Sequence, residues 1–278
     1  MVVLGGFKGV LDLISVRASA AYGLRRLYGS WTGAAIRVRR SSDNAEIDIG
    51  FIREGLDVVT LLAFVGSGSG FVTTWYDQSG NGNNATQTTA GQQPRIVNSG
   101  VLDIANGKPA IRFNGSLFFS GVSLPLSQLT LVSVLNDVTQ GLIISYPIGT
   151  GSAFIFPGKG IFSSFPGFLP PTPNASLGFT PDVQPGVVQT GFLPTIGQSY
   201  VVSLTTTATK SSIWSNGGNN ATGGVITLNQ LFMGQRGDNF WHYDGCNSET
   251  IVFPSALSTD DRQTLERNEG TYYSITVA

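Results

Sequence analysis

From Ala34 to Arg40 apolar and charged positions alternate, with Ile36 and Val38 on one side and Arg37 and Arg39 on the other. After the turn Ser41-Ser42-Asp43-Asn44 the alternation resumes as Glu46-Ile47-Asp48-Ile49. A period of two predicts a β-hairpin in which arginines face carboxylates across the strands. Upstream, Ala18 to Tyr28 reads as a short helix, and Leu56 to Val65 as a second one. Gly70 to Tyr76 reads as a strand running into the polar loop DQSGNGNN. From Lys108 onward the pattern is almost wholly β: KPAIRFNG, LTLVSVLND, GLIISYPIG, YVVSLTTTA, SSIWSNG, GVITLNQLFMG and ETIVF, separated by Gly, Asn or Pro. Their regular spacing predicts a sandwich rather than βα units.

Two segments interrupt the rhythm. Residues 146–198 hold nine of the thirteen prolines and seven phenylalanines, too much Pro for central strands and too much Phe for a solvated linker. That span reads as an excursion from the sandwich. Phe154, Phe156, Phe162, Phe165 and Phe168 are its candidate subunit-contact residues. Residues 258–270 read as a closing helix, with Ser258 as N-cap, Asp260 and Asp261 in the first turn, and Gly270 as the stop. The expected organisation is a single domain over 1–278, with 1–107 as a helix and hairpin block.

The chain has 278 residues, and only 12% are charged against the usual share of about 25%. Turn formers fill the difference, including 36 glycines, which suits many short strands joined by tight loops. A net charge of −1 predicts neither a nucleic-acid partner nor an anionic membrane surface. No apolar run approaches a membrane span. The N-terminus lacks a positive residue ahead of its apolar stretch and reads as no signal peptide. Cys246 is the lone cysteine and His242 the lone histidine, which excludes an internal disulfide and a zinc site. No nucleophile elbow or phosphate loop is present, no cofactor is expected, and any chemistry falls to carboxylates.

Within the polar loop, Asp77, Ser79 and Asn81 are placed like the first ligands of a calcium loop, but the twelfth position is Thr88 where a bidentate Glu is needed. A self-capped hydrogen-bonded turn is the preferred reading there. Arg25, Arg26, Arg37, Arg39 and Arg40 hold five of sixteen positive charges, and the nearby Asp43, Glu46 and Asp48 make an ion-pair network the expectation. Trp75, Tyr76, Trp241 and Tyr243, with Asp238 and Asp244 as acceptors, are the candidate sugar-binding residues, with core or rim packing as the preferred reading for each ring.

The stretches LRRLYGSWTGAAIRVRRSSDNAEIDI, FVTTWYDQSGNGNNATQ and NGKPAIRFNG resemble the catalytic domain of fungal α-L-arabinofuranosidase B, and more closely domains of phage and other viral proteins. The closing segment from Phe240 to Tyr273 is similar to the last strand and helix of laminin-G-like folds. Both resemblances imply a concanavalin A-like jelly-roll β-sandwich with a few short helices. In the arabinofuranosidase resemblance Asp238, in GQRGDN, occupies a place comparable to the family's acid/base aspartate, with a turn residue as the preferred reading. The family's nucleophile, a glutamate in Asp-x-Glu-Asn near a vicinal cysteine pair, has no counterpart. From Asp137 to Asp238 the chain holds no Glu and no Cys, and Asp182 is the one other carboxylate. A retaining mechanism needs two carboxyl groups about 5–5.5 Å apart.

The expectation is therefore a virion structural protein, in a phage tail, fibre or capsid surface, assembled in the host cytoplasm. It would present the sandwich for assembly with other virion subunits, as a homo-oligomer (a trimer), or for attachment to a host surface glycan. Alternatives are a carbohydrate-binding module and an arabinofuranosidase-like glycosidase.

Overall fold

The computed structural model describes residues 7–140, 144–145, 178–179, 188–189, 195, 197–234 and 243–278. In chain order its principal strands are Ala20–Gly23 (β1), Ile36–Arg40 (β2), Glu46–Ile49 (β3), Gly70–Trp75 (β4), Arg95–Asn98 (β5), Ile111–Asn114 (β6), Phe119–Leu126 (β7), Leu129–Gln140 (β8), Ile144–Ser145 (β9), Ser199–Thr206 (β10), Ser211–Ser215 (β11), Gly218–Gly223 (β12), Leu228–Met233 (β13) and Asp244–Phe253 (β14). Two α-helices join them, Val58–Val65 (α1) and Thr259–Tyr273 (α2).

The main sheet runs β12-β11-β10-β8-β14-β6-β5-β4-β2-β3, and β7-β13-β9 form a second sheet; the pairings are antiparallel. Together they make a jelly-roll β-sandwich with few short helices. β14 organises it. One edge pairs with β8; the other carries β6 from Asp244 to Asn247 and β1 from Glu249 to Val252.

Side-chain alternation explains why the central strands read as continuous apolar runs. Leu129, Leu131 and Leu135 of β8, Tyr200, Val202 and Leu204 of β10, and Val252 of β14 enter the core that also holds Trp75, Phe113, Phe119 and Leu231. Their neighbours Val132, Val134, Val201, Ile251 and Phe253 point to the opposite face, where Val10, Leu11, Leu27, Leu265 and Tyr273 cover them. A sheet buried on both faces loses the polar half of its pattern.

The β2–β3 hairpin forms as its alternation predicts, with Arg37 opposite Asp48 and Arg39 opposite Glu46. Arg37 reaches Glu46 (2.9 Å) and Asp48 (3.3 Å), and Arg40 pairs with Asp43 (2.6 Å). The Arg40 guanidinium and the Ala45 N–H hold the Asp43 carboxyl well below the usual carboxylate range. Arg39 instead donates to Gln93 and Asn44. Helix α1 starts at its N-cap Asp57, whose carboxylate accepts from the Thr60 N–H (2.9 Å).

Two elements differ from the sequence reading. Ala18–Tyr28 is not helical. Its Ala20–Gly23 segment pairs with β14, and long-range pairing overrides a local preference worth only tenths of a kcal/mol per residue. Helix α2 begins at Ser258, whose hydroxyl accepts from the Asp261 N–H (3.1 Å), but it runs through Gly270 to Tyr273. A Cβ at Gly270 would lie 2.6 Å from Val277 Cγ2 and 2.8 Å from the Ile275 carbonyl oxygen. The glycine admits the returning C-terminal chain; the left-handed Ser274 ends the helix. The five contact phenylalanines, Phe154, Phe156, Phe162, Phe165 and Phe168, lie outside the described residues. No described helix is long and apolar enough to cross a membrane.

Candidate functional site

Several strand ends meet at one end of the sandwich. β6 finishes at Asn114 opposite Asp244, and β8 reaches the same level with Gln140 opposite Asp244. The chain leaves β13 at Gly234 and returns at Tyr243, whose N–H donates to the Gly234 carbonyl (2.8 Å). The span carrying Asp238 and Trp241 is thereby rooted here, while those two residues themselves lie outside the described ones. Gly234 has φ +97°, and a Cβ there would lie 2.6 Å from the Leu117 carbonyl oxygen and run into the Phe113 ring. Only glycine suits that root.

At this base Arg112 pairs with Asp244 (2.5 Å), both half-buried. Alternation puts Arg112 on the face away from the Phe113 core, opposite Cys246 and Arg95 in the neighbouring strands. Arg95 grips Asp103 through two bonds of 2.8 and 3.0 Å. Burial pushes the Cys246 thiol up to about 11, so it stays protonated and is no nucleophile at neutral pH. A guanidinium–carboxylate pair of this kind offers a fork of donors beside acceptor oxygens, which suits the hydroxyls of a sugar. Sequence reasoning found Asp244 but missed Arg112, because only the strand register joins them.

Of the other sugar-binding candidates, Trp75, Tyr243 and Tyr76 lie among the described residues and give no stacking face beside this pair. Trp75 is fully buried, packed against Tyr22 (5.8 Å between ring centroids) and Phe119 (6.0 Å). Tyr243 is equally buried against Phe113 (5.7 Å), its hydroxyl between the Asn136 and Cys246 carbonyls at 3.0 and 2.9 Å. Both rings are core, so neither offers a stacking face. Tyr76 is half-buried beside the β2–β3 hairpin and donates to Asp48 (2.8 Å), three strands from Asp244 in the main sheet.

The polar loop after β4 is a clasp. Asp77 is buried, and its carboxylate accepts from the Ala21 N–H (2.8 Å), the Ser79 N–H (2.8 Å), the Ser79 hydroxyl (2.7 Å) and the Asn83 N–H (3.0 Å). Asn81 donates to the Ala18 and Ser19 carbonyls, and Asn83 to Ser19. Gln78 donates to the Gly23 and Arg25 carbonyls and accepts from the Leu27 N–H. Asp77, Ser79 and Asn81 thus serve the backbone of residues 18–27 rather than a calcium ion. Among the described residues no group of three or more His, Cys, Asp or Glu side chains is arranged to hold a metal.

Residues 15–120 match the family model of the alpha-L-arabinofuranosidase B catalytic domain. The matched span contains the clasp, the β2–β3 hairpin and β6 with Arg112. A probable alpha-L-arabinofuranosidase B of Aspergillus flavus is 39% identical over 94 residues, 33% of this chain and 19% of that relative. The chain thus spans about a fifth of the length of the curated relative. A solved GH54 arabinofuranosidase soaked with a cyclic sulfate inhibitor superposes with a TM-score of 0.69 at 17% identity, covering 93% of this chain and 63% of that one. A solved arabinofuranosidase complexed with arabinofuranosyl-alpha-1,2-xylobiose gives a TM-score of 0.67 over the same shares. These likenesses carry the sandwich fold across nearly the whole chain.

The arabinofuranosidase B match overturns the expectation of a phage or other virion structural protein, and with it the virion location. The relatives matched by sequence are fungal arabinofuranosidases rather than virion components. Low charge, the lone cysteine and the missing glutamate string suit a sandwich of either origin, so they did not discriminate.

Proposed function

We propose that this chain is an arabinofuranosidase-like glycoside hydrolase domain that takes an α-L-arabinofuranosyl unit at the Arg112–Asp244 end of the sandwich. The observation that carries the reading is the arabinofuranosidase B match over 15–120, which supplies β6 and Arg112 to that end. Asp238, on the span rooted between Gly234 and Tyr243, is the proposed acid/base group. Arg112 and Asp244 are the proposed sugar-hydroxyl contacts. A glycosidase needs a second carboxyl group. Since residues 138–237 contain no glutamate, that group lies outside the family's string, on Asp182 or on an aspartate beside the site. The laminin-G-like closing strand and helix are proposed as architecture: Glu249 and Ile251 sit on β14 and α2 packs across its outer face.

The same missing glutamate favours a second reading, a module that binds the sugar without cleaving it. Incubating the full chain with 4-nitrophenyl α-L-arabinofuranoside separates the two. Release of nitrophenol is expected. Saturable binding without release would replace the hydrolase by the binding module, and neither turnover nor binding would overturn both.

A further inference from the structure

Helix α2 lies over three carboxyl groups that have no access to solvent: Glu249 of β14, and Glu266 and Glu269 of the helix itself. Two guanidinium groups meet them. Arg25 donates to Glu249 through Nε (2.7 Å) and Nη2 (3.1 Å), and through Nη1 to Asn268 (2.7 Å). Arg262 donates to both oxygens of Glu266 (2.6 and 2.5 Å), and the Ser203 hydroxyl adds a 2.5 Å bond. Glu269 is left over. Neither of its oxygens meets an N–H or O–H donor among the described residues, and the Glu249 carboxyl is the neighbour that acts on it most strongly.

An ionised carboxylate buried without a donor is far costlier than a neutral acid in the same place. Protonating Glu269 removes that cost and balances the cluster, with two guanidinium groups facing two carboxylates and one neutral acid. We propose that Glu269 carries a proton while α2 is docked, and that losing this proton at alkaline pH releases α2 from the sheet.

The surrounding groups leave Glu269 as the site that responds. Burial, with Glu249 and then Glu266 acting in the same direction against Arg25, pushes the Glu269 carboxyl well above the usual glutamate range. Tyr273 donates to Glu249 (3.0 Å), and burial pushes its phenol well above the usual value. Tyr272 stacks on Arg25 (4.6 Å to the ring centroid) and is pushed up to about 12, mainly by burial. Glu54 faces Arg25 from the opposite side at 3.5 Å, and Lys108 lies over the Tyr272 ring. Arg262 is committed to Glu266 and stacked on Trp214 (4.2 Å).

The direction follows from linkage. A group whose value is raised in the folded state keeps a proton that the unfolded chain has already lost. Its contribution is complete below the unfolded glutamate value of about 4.3 and is lost as pH rises toward the folded value. The folding constant should therefore fall by up to about tenfold per pH unit across that interval.

Urea denaturation of the full chain at steps from about pH 5 to 9 tests this in the wild type and in Glu269→Gln, whose amide stands for the neutral acid. A falling folding constant in the wild type and a flattened profile in the variant are expected. An equal slope in both, or no slope in the wild type, would overturn the proposal. If the glutamine variant does not fold, Glu269→Met and infrared spectroscopy replace it. The wild type at pH 7 should show a neutral-acid carbonyl band that the methionine variant lacks, and absence of that band from the wild type would equally overturn the proposal.

Discussion

Replacing Arg25 by alanine is expected to lower the folding free energy by about 3–5 kcal/mol, a large part of the roughly 5–15 kcal/mol typical of a folded domain. Arg25 is 1% exposed and Glu249 fully buried, so removing the guanidinium strands a carboxylate beneath α2 with Glu269 beside it. The two-pronged contact disappears, as do the Asn268 bond and the stacking on Tyr272 and Tyr273. The penalty comes mainly from the charge left behind rather than from the net worth of the pair. The double variant Arg25→Met with Glu249→Leu should therefore recover much of the loss. Urea midpoints of the wild type, single and double variants check this. A single variant within about 1 kcal/mol of the wild type would mean that Glu249 becomes neutral at no cost.

Asp77→Ala is the second large effect, and it acts on the block shared with the arabinofuranosidases. The carboxylate satisfies three backbone N–H groups and one hydroxyl, among them the N–H of fully buried Ala21. An unsatisfied buried donor costs about 1–3 kcal/mol, so the loss should be about 3 kcal/mol or more. Loosening should concentrate in β1 and in residues 18–27, whose carbonyls the clasp also holds through Gln78, Asn81 and Asn83. Hydrogen exchange in the variant should show faster exchange at Ala21 and Leu27. Calcium should leave the wild-type melting temperature unchanged, because the Asp77 oxygens already hold four donors; a calcium-dependent rise would restore the metal reading.

Much of this frame can be read from the chain because its causes are local. The β2–β3 hairpin follows from Arg37, Glu46 and Asp48 alternating with Ile36, Val38 and Ile47. The α2 start follows from Ser258 followed by two aspartates. What escapes sequence reading depends on partners far along the chain. Ala20–Gly23 looks helical until β14, more than two hundred residues on, offers an edge. Trp75 and Tyr243 are candidates for sugar stacking as well as for core packing, and only the register shows that both rings enter the core. Arg112 has no visible role until β6 is laid against β14, and Gly270 resembles a helix stop until the C-terminal residues fold back over it. The carboxyl cluster under α2 is invisible for the same reason, since Arg25, Glu249 and Glu269 come from separate elements. The functional reading failed on another ground. The missing glutamate string argued against the enzyme, while the clasp and hairpin block resembled viral domains more closely than the fungal family.

Release of free arabinose from an arabinofuranosyl-substituted xylan, followed chromatographically for the wild type and Asp238→Asn, decides whether the chain is this hydrolase. Arabinose should be the product with the xylan backbone intact, and the rate should fall at least about a hundredfold on removing the acid/base carboxyl. Equal release by wild type and variant, or none by the wild type at any substrate concentration, would contradict the hydrolase assignment.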